Sequence, residues 1–248
     1  MLLTMKAYTE AMRGLVYDAV AAEDRSHHAP TEEERQTASE RLALLTPIAK
    51  SWCTDRGVEM ASVGVQVHGG MGFVEETGAA QFYRDARITP IYEGTNGIQA
   101  IDLVMRKLPM SGGAVIEAYL GEIDHVAKLL GEAGEEMADI RTELDSAIAA
   151  VRSATHWLNT AEDANDRMAG ATPYQDMLGT LAGGYYLARQ ALAALPLADD
   201  DPWMAAKVAT ARFYATNLLP KVHGLADSVT AGADVIYAID DSLIGAPA

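Results

Sequence analysis

Apolar residues recur at helical spacing along almost the whole chain, broken by short clusters of Gly, Pro and acidic residues. Leu2, Met5, Tyr8, Met12, Leu15, Val16 and Ala19 fall on one stripe and predict an amphipathic helix over residues 2–24. The stretch Ser26-His27-His28-Ala29-Pro30 ends it. Thr31 and Glu34 have the spacing of a capping box, and the acidic residues 32–34 suit the positive end of the next helix. That helix carries Leu42, Leu45, Ile48, Ala49 and Trp52, with a kink expected at Pro47, which lacks an N–H and crowds the preceding turn. Further helices are predicted at 55–67, 75–86 and 96–108. In the last of these, Asn96 and Gln99 stand at capping-box spacing and Ile98, Ile101, Leu103 and Met105 face inward. Residues 88–94, with Pro90, read as an irregular connector. The Leu108-Pro109-Met110-Ser111-Gly112-Gly113 segment combines a helix stop with turn residues and marks a domain boundary. Four helical patterns follow, at 114–130, 135–168, 173–195 and 201–231, and Met137, Leu144, Ile148 and Val151 form a core stripe. No stretch alternates with period two. The expected fold is all-α, a helical bundle over 1–109 followed by a second over 114–248.

Charge narrows the partners. The 248 residues carry a formal net charge of −16, which disfavours nucleic acid and anionic membrane surfaces and favours solubility or a docking partner with a basic patch. A single cysteine, Cys53, excludes an internal disulfide framework and reads as packing in a reducing compartment. No leader peptide stands out, and no apolar run approaches the roughly 20 residues of a membrane span, so the expected location is cytoplasmic.

Candidate chemistry concentrates between residues 66 and 99. Gly69, Gly70 and Gly72 follow Gln66 and His68, and a glycine cluster implies tight turns or close approach of main-chain N–H groups to a ligand such as a phosphate. A helix–turn–helix junction explains the same cluster. It is neither a Walker loop, since no Gly-Lys-Ser/Thr follows, nor a dinucleotide fingerprint, since no strand precedes it. Glu93 stands between Tyr92 and Gly94 at a helix entry, where a carboxylate projects from a fixed backbone; alone it also reads as a surface residue. His68 reads as a hydrogen-bonded buried histidine, and Arg84, Asp85 and Arg87 as structural ion pairs. The His27-His28 pair reads as loop, because no second ligand pair stands at metal spacing.

Taken together, Q-V-H-G-G-M-G-F-V-E-E and F-Y-R-D-A-R-I-T-P-I-Y-E-G-T-N-G-I-Q resemble the C-terminal helical domain of the acyl-CoA dehydrogenase family in order, spacing and residue type. The likeness extends over residues 1–108, and residues 114–248 resemble an extra C-terminal helical domain found in one subgroup. The resemblance implies an FAD-dependent α,β-dehydrogenation of an acyl-CoA thioester to a trans-2-enoyl-CoA, with electron-transfer flavoprotein as electron acceptor. It implies Glu93 as the catalytic base, its backbone N–H polarising the thioester carbonyl. It places Gln66, Gly69, Gly70 and Thr95 against the flavin, the first three often across a subunit interface, and Tyr92, Glu93 and Gly94 against the acyl group. At Gly97 many relatives carry a longer polar side chain that touches the cofactor, and that contact is missing here.

Family members also have an N-terminal helical domain and a middle β-domain that supply much of the flavin and CoA site. Neither is in this sequence, so the chain reads as a fragment, a truncated product or a subunit that needs another polypeptide. Residues 1–108 are expected to expose an apolar face and to assemble as a homo-oligomer. Two alternatives stand beside the enzyme reading: a helical assembly domain without its own flavin site, and an unrelated phosphate-binding helical protein, which the length of the motif match disfavours.

Overall fold

The computed structural model describes residues 1–245, and these form helices and turns without a strand. Eleven α-helices follow one another among the described residues. They are α1 (Leu2–His28), α2 (Glu32–Val67), α3 (Gly70–Phe73), α4 (Ala79–Ala86), α5 (Asn96–Asp102), α6 (Ala114–Glu132), α7 (Ala138–Thr160), α8 (Ala164–Ala169), α9 (Ala171–Ala194), α10 (Pro202–Asn217) and α11 (Lys221–Thr230).

Helix α2 begins at the expected capping box. Thr31 Oγ1 accepts from the Glu34 N–H (3.2 Å), while the Glu34 carboxylate accepts from the Thr31 N–H (3.0 Å). From there it runs through Pro47 as one helix, not two. An interior proline costs a helix about 3 kcal/mol. Burial of Leu44, Leu45, Ile48 and Trp52 on the same helix offsets that, each worth roughly 1.5–3 kcal/mol. The Pro47 carbonyl also accepts a buried hydrogen bond from Gln175 Nε2 of α9 (2.9 Å). Helix α1 likewise outruns its prediction, and His27 and His28 lie in its last turn instead of a loop. Its buried face is Ala7, Tyr8, Ala11, Leu15 and Ala22, leaving Leu2 and Val16 outside.

The packing centre is α9. Seventeen of its 24 residues are buried, and α1, α2, α5, α6, α7, α10 and α11 all pack on it. Two glycines make this possible. A Cβ on Gly179 would lie 2.3 Å from Trp52 Cγ, and one on Gly183 would lie 2.9 Å from Trp52 Cη2 and 2.3 Å from the Tyr214 hydroxyl. The indole of α2 therefore sits in a groove that only glycine leaves open. Tyr8 closes the cluster, its ring edge-on to both Trp52 (5.9 Å between centroids) and Tyr214 (5.8 Å).

The segment around 109–113 is a sharp left-handed turn, with φ of 51° at Ser111, 67° at Gly112 and 90° at Gly113. The hydrophobic cluster nevertheless continues across it, from Tyr8 and Trp52 to Leu178 and Tyr214. The Met137, Leu144, Ile148 and Val151 stripe is fully in that core. The long patterns expected at 135–168 and 201–231 are each divided. Asp163 ends the first break as the N-cap of α8, accepting from the Asn165 N–H (2.8 Å), and Pro220 starts α11.

Candidate active site

Helices α3, α4 and α5 all pack on α2, and the sequence-predicted site residues lie at the end of α2, in the turn into α3 and on the connector between α4 and α5. At the end of α2, Gln66 is exposed and the His68 ring, held by Nδ1–H donating to the Gly64 carbonyl (2.8 Å), is exposed as well, where burial was expected. Gly69 turns the chain with φ 61° and ψ −146°, a conformation open essentially to glycine alone. Gly72 is buried because the turn folds back on α2: a Cβ there would lie 2.2 Å from the Val65 carbonyl oxygen. Gly70 differs from both. Its φ is ordinary and a Cβ would meet nothing within 4 Å, so nothing inside the chain requires glycine at that position.

The second group lies on the connector into α5. The Asn96 N–H donates to the Pro90 carbonyl (3.1 Å) and closes residues 91–95 into a loop. At its tip Glu93 has φ 54° and Gly94 φ 82°. A left-handed glutamate costs on the order of 1 kcal/mol, and such outliers cluster at working sites. Tyr92, Glu93, Gly94 and Thr95 are all exposed, and among the described residues the backbone N–H groups of Glu93, Gly94 and Thr95 donate no hydrogen bond. Thr95, not Asn96, caps α5, its Oγ1 accepting from the Ile98 N–H (3.4 Å). Gln99 Nε2 reaches back to the Glu93 carbonyl (3.5 Å).

Sequence reasoning missed the group that fastens this loop. The Asn96 side chain sits on α2, its Oδ1 accepting from Lys50 Nζ (2.8 Å) and its Nδ2 donating to Asp55 Oδ1 (2.8 Å), Thr54 Oγ1 (3.0 Å) and the Ser51 carbonyl (3.2 Å). The polar residues at 50, 51, 54 and 55 on one helical face were the available signal. Because Asn96 docks near residues 50–55 and the glycine turn follows residue 67, the two groups are anchored about 20 Å apart along α2 at 1.5 Å per residue. The structure brings Tyr92, Glu93, Gly94 and Thr95 together, and Gln66, Gly69 and Gly70 together, but does not join the two sets in one pocket.

The surface around both groups is apolar. Phe73 is 81% exposed and Phe82 75%, with Val67, Met71, Tyr83, Ile88, Ile91 and Tyr92 also outside. Ile98 and Ile101, expected inside, join them, while Leu103 is buried. Arg84 pairs with Glu75 (3.4 Å) on this surface, but Asp85 and Arg87 form no ion pair among the described residues. Clefts of comparable size lie elsewhere: one of about 800 Å³ is lined by Gly121, His125, Leu129 and Leu192, one of about 760 Å³ by Asp18, Arg41, Tyr119 and Glu122, and one of about 690 Å³ by Tyr17, Arg189 and Lys207. Cys53 is remote from reaction chemistry, since burial pushes its thiol up to about 12. Among the described residues no cluster of three His, Cys, Asp or Glu side chains is placed to hold a metal, and no helix is long and apolar enough to cross a membrane.

Comparison with known proteins bears on these two surfaces. A family model described as "Acyl-CoA dehydrogenase, C-terminal domain" matches residues 1–108, and one described as "Acetyl-CoA dehydrogenase C-terminal like" matches residues 119–240. The chain is 44% identical to 3-methylmercaptopropionyl-CoA dehydrogenase of Ruegeria pomeroyi over 88% of this chain and 38% of that protein. It is 31% identical to a butyryl-CoA dehydrogenase of Syntrophomonas wolfei over 93% of this chain and 39% of that protein. The chain thus spans about two fifths of the length of these curated relatives. Among solved structures, Caenorhabditis elegans ACDH-11 in complex with C11-CoA superposes with a TM-score of 0.74 at 18% identity, over 97% of this chain and 39% of that one. An acyl-CoA dehydrogenase of Bacillus anthracis complexed with FAD gives 0.68 at 20% identity, over 98% of this chain and 43% of that one. Both share the fold.

Proposed function

The chain belongs to the acyl-CoA dehydrogenase family, whose C-terminal helical region it carries, and on that premise we propose that it supplies the catalytic base of an FAD-dependent acyl-CoA dehydrogenase. The observation that carries this reading is the loop tip at Glu93, where a strained backbone presents a carboxylate and unpaired N–H groups among exposed apolar side chains. A carboxylate acting as general base must come within hydrogen-bond reach of the proton it removes, and a loop closed at both ends fixes where it points.

The flavin, when bound, supplies the acceptor for the hydride that leaves the β-carbon. The Glu93 carboxylate takes the α-proton and holds it while the Cα–Cβ bond of the substrate becomes a double bond. The Glu93 N–H donates to the thioester oxygen and stabilises charge that builds there as the α-proton leaves. Tyr92 and Gly94 border the acyl group. Thr95, and from the glycine turn Gln66, Gly69 and Gly70, are the residues that would hold the cofactor. The spare glycine at residue 70 fits that role, because its open Cβ position leaves room for a group from outside the chain.

The separation of the two residue sets along α2 fits a site completed by other protein surface. We assign that surface to domains that complete the flavin and CoA sites and to a second copy of this chain. Electron-transfer flavoprotein as onward acceptor follows from the same reading. A helical assembly domain without its own flavin site is the second reading. A stoichiometric yellow chromophore on the purified chain would exclude the second reading.

The deciding experiment is anaerobic flavin reduction by acyl-CoA in the flavin-loaded enzyme carrying Glu93→Gln. The expected result is retained flavin with reduction slowed by about 10²–10⁴-fold. Reduction at the wild-type rate would assign the base elsewhere, and loss of flavin would make Glu93 structural.

A further inference from the structure

We propose that Asn96 is a positioning residue for the Glu93 loop, a polar rivet that transmits the rigidity of α2 to the base. The proposal rests on the reading of Glu93 given above. Residue 96 holds the loop twice. Its backbone N–H closes the loop on the Pro90 carbonyl (3.1 Å), and its half-buried side chain is bound to α2 by four residues. Charge fixes which way the amide faces: the oxygen meets the Lys50 ammonium and the NH₂ meets the Asp55 carboxylate. A flipped amide would set donor against donor and acceptor against acceptor at both ends. Thr54 is itself pinned, its hydroxyl donating to the Lys50 carbonyl (2.7 Å).

The rivet sits where α2 is least able to move. Ser51 and Trp52 are both buried, and Trp52 fills the glycine groove of α9. A continuous path of packed groups thus runs from α9 through Trp52 to Ser51, Thr54 and Asp55, then through Asn96 to Thr95, Gly94 and Glu93. Catalysis by a positioned base falls steeply with small displacements, about 10²-fold for 1 Å. Neither the cap on α5, which Thr95 supplies, nor burial of apolar surface accounts for so many polar contacts on one side chain.

The test has two arms. In this chain alone, Asn96→Ala should speed amide exchange at Tyr92 and residue 96 by about 10-fold or more while α9 amides keep their protection. In the flavin-loaded enzyme the same variant should lower kcat by about 10- to 100-fold with little change in KM. Asn96→Asp alone sets two carboxylates together and should behave like Asn96→Ala. Adding Asp55→Asn replaces that repulsion by a donor–acceptor pair of reversed polarity and should recover part of both exchange protection and kcat, the Ser51 carbonyl still facing an acceptor. A purely structural role predicts that α9 and loop amides lose protection together, which would overturn the proposal. So would unchanged loop exchange, or unchanged kcat in an enzyme that Glu93→Gln cripples. If Glu93→Gln leaves flavin reduction unchanged, the base assignment itself fails and the positioning role falls with it.

Discussion

Helix α2 belongs to two regions with opposite packing. Around Trp52 it is locked into the α9 groove, with the indole 1% exposed and two glycines of α9 in contact with it. From Gln66 onward the glycine turn, α4, the Glu93 loop and the outer face of α5 leave almost every large apolar side chain outside, and α4 buries none of its residues. The first region is finished by the chain itself. The second has the apolar character of an interface, and its polar groups have spare donors and acceptors. A bundle that buries so much in α9 can hold α2 stiff while one edge of it stays open. Residues 114–245 pack on the same helix that carries the candidate site residues at its open end.

The largest effect should come from breaking the finished region. Trp52→Ala should cost about 3–5 kcal/mol in a denaturant melt, because the vacated groove is walled by backbone and cannot collapse. Gly183→Ala should cost about 1–3 kcal/mol, since its Cβ must displace Tyr214 or Trp52. In both variants residues 1–108 and 114–245 should unfold in one transition, because they share one core.

Next in size is the polar staple farther along the same face of α9. The Asp18 carboxylate accepts from Arg41 Nη2 (2.6 Å) and the Tyr186 hydroxyl (2.7 Å), joining α1, α2 and α9. Burial pushes its pKa up, but the Arg41 and Tyr186 hydrogen bonds outweigh this and hold it below the ordinary 3.8. A depressed carboxylate stabilises the fold above its unfolded pKa and loses that stabilisation as pH falls through the folded one. Asp18→Asn should therefore cost about 2 kcal/mol at pH 7, and the gap to wild type should close as the pH is lowered below about 4.

Two smaller effects probe the open region. Glu93→Gly should stabilise the chain by about 0.5–1 kcal/mol by relieving the left-handed glutamate, while removing the proposed base. A stability loss would mean that the carboxylate does structural work. Phe73→Ser and Phe82→Ser should change stability by less than about 0.5 kcal/mol, yet weaken concentration-dependent self-association measured by sedimentation.

Sequence pattern revealed the closed region better than the open one. The capping box at Thr31 and the Met137–Val151 stripe are local signals with period and caps agreeing, and the structure follows them. The helix carrying Pro47 and the one expected at 55–67 are instead a single helix, because no breaker stands between Trp52 and Asp55 and Trp52 is held in the core. Ile98 and Ile101 misled because helical period shows which residues share a face, not whether this chain covers that face. The glycine turn and Glu93 loop stood out by residue type, but the separation of the two sets along α2 and the Asn96 rivet depend on contacts between residues more than 40 positions apart. The polar residues at 50, 51, 54 and 55 mark a face of α2 but do not identify its partner.

The contrast between the two regions is tested most directly by residue-resolved amide hydrogen exchange on the intact chain. The account predicts that amides of α9 and of α2 around Trp52 open only with global unfolding. Loop amides such as Glu93 and Thr95, free of intrachain partners, should exchange orders of magnitude faster, and Asn96, bonded to Pro90, should fall between. Uniform protection from Gln66 to α9 would contradict it, as would α9 opening independently of α2.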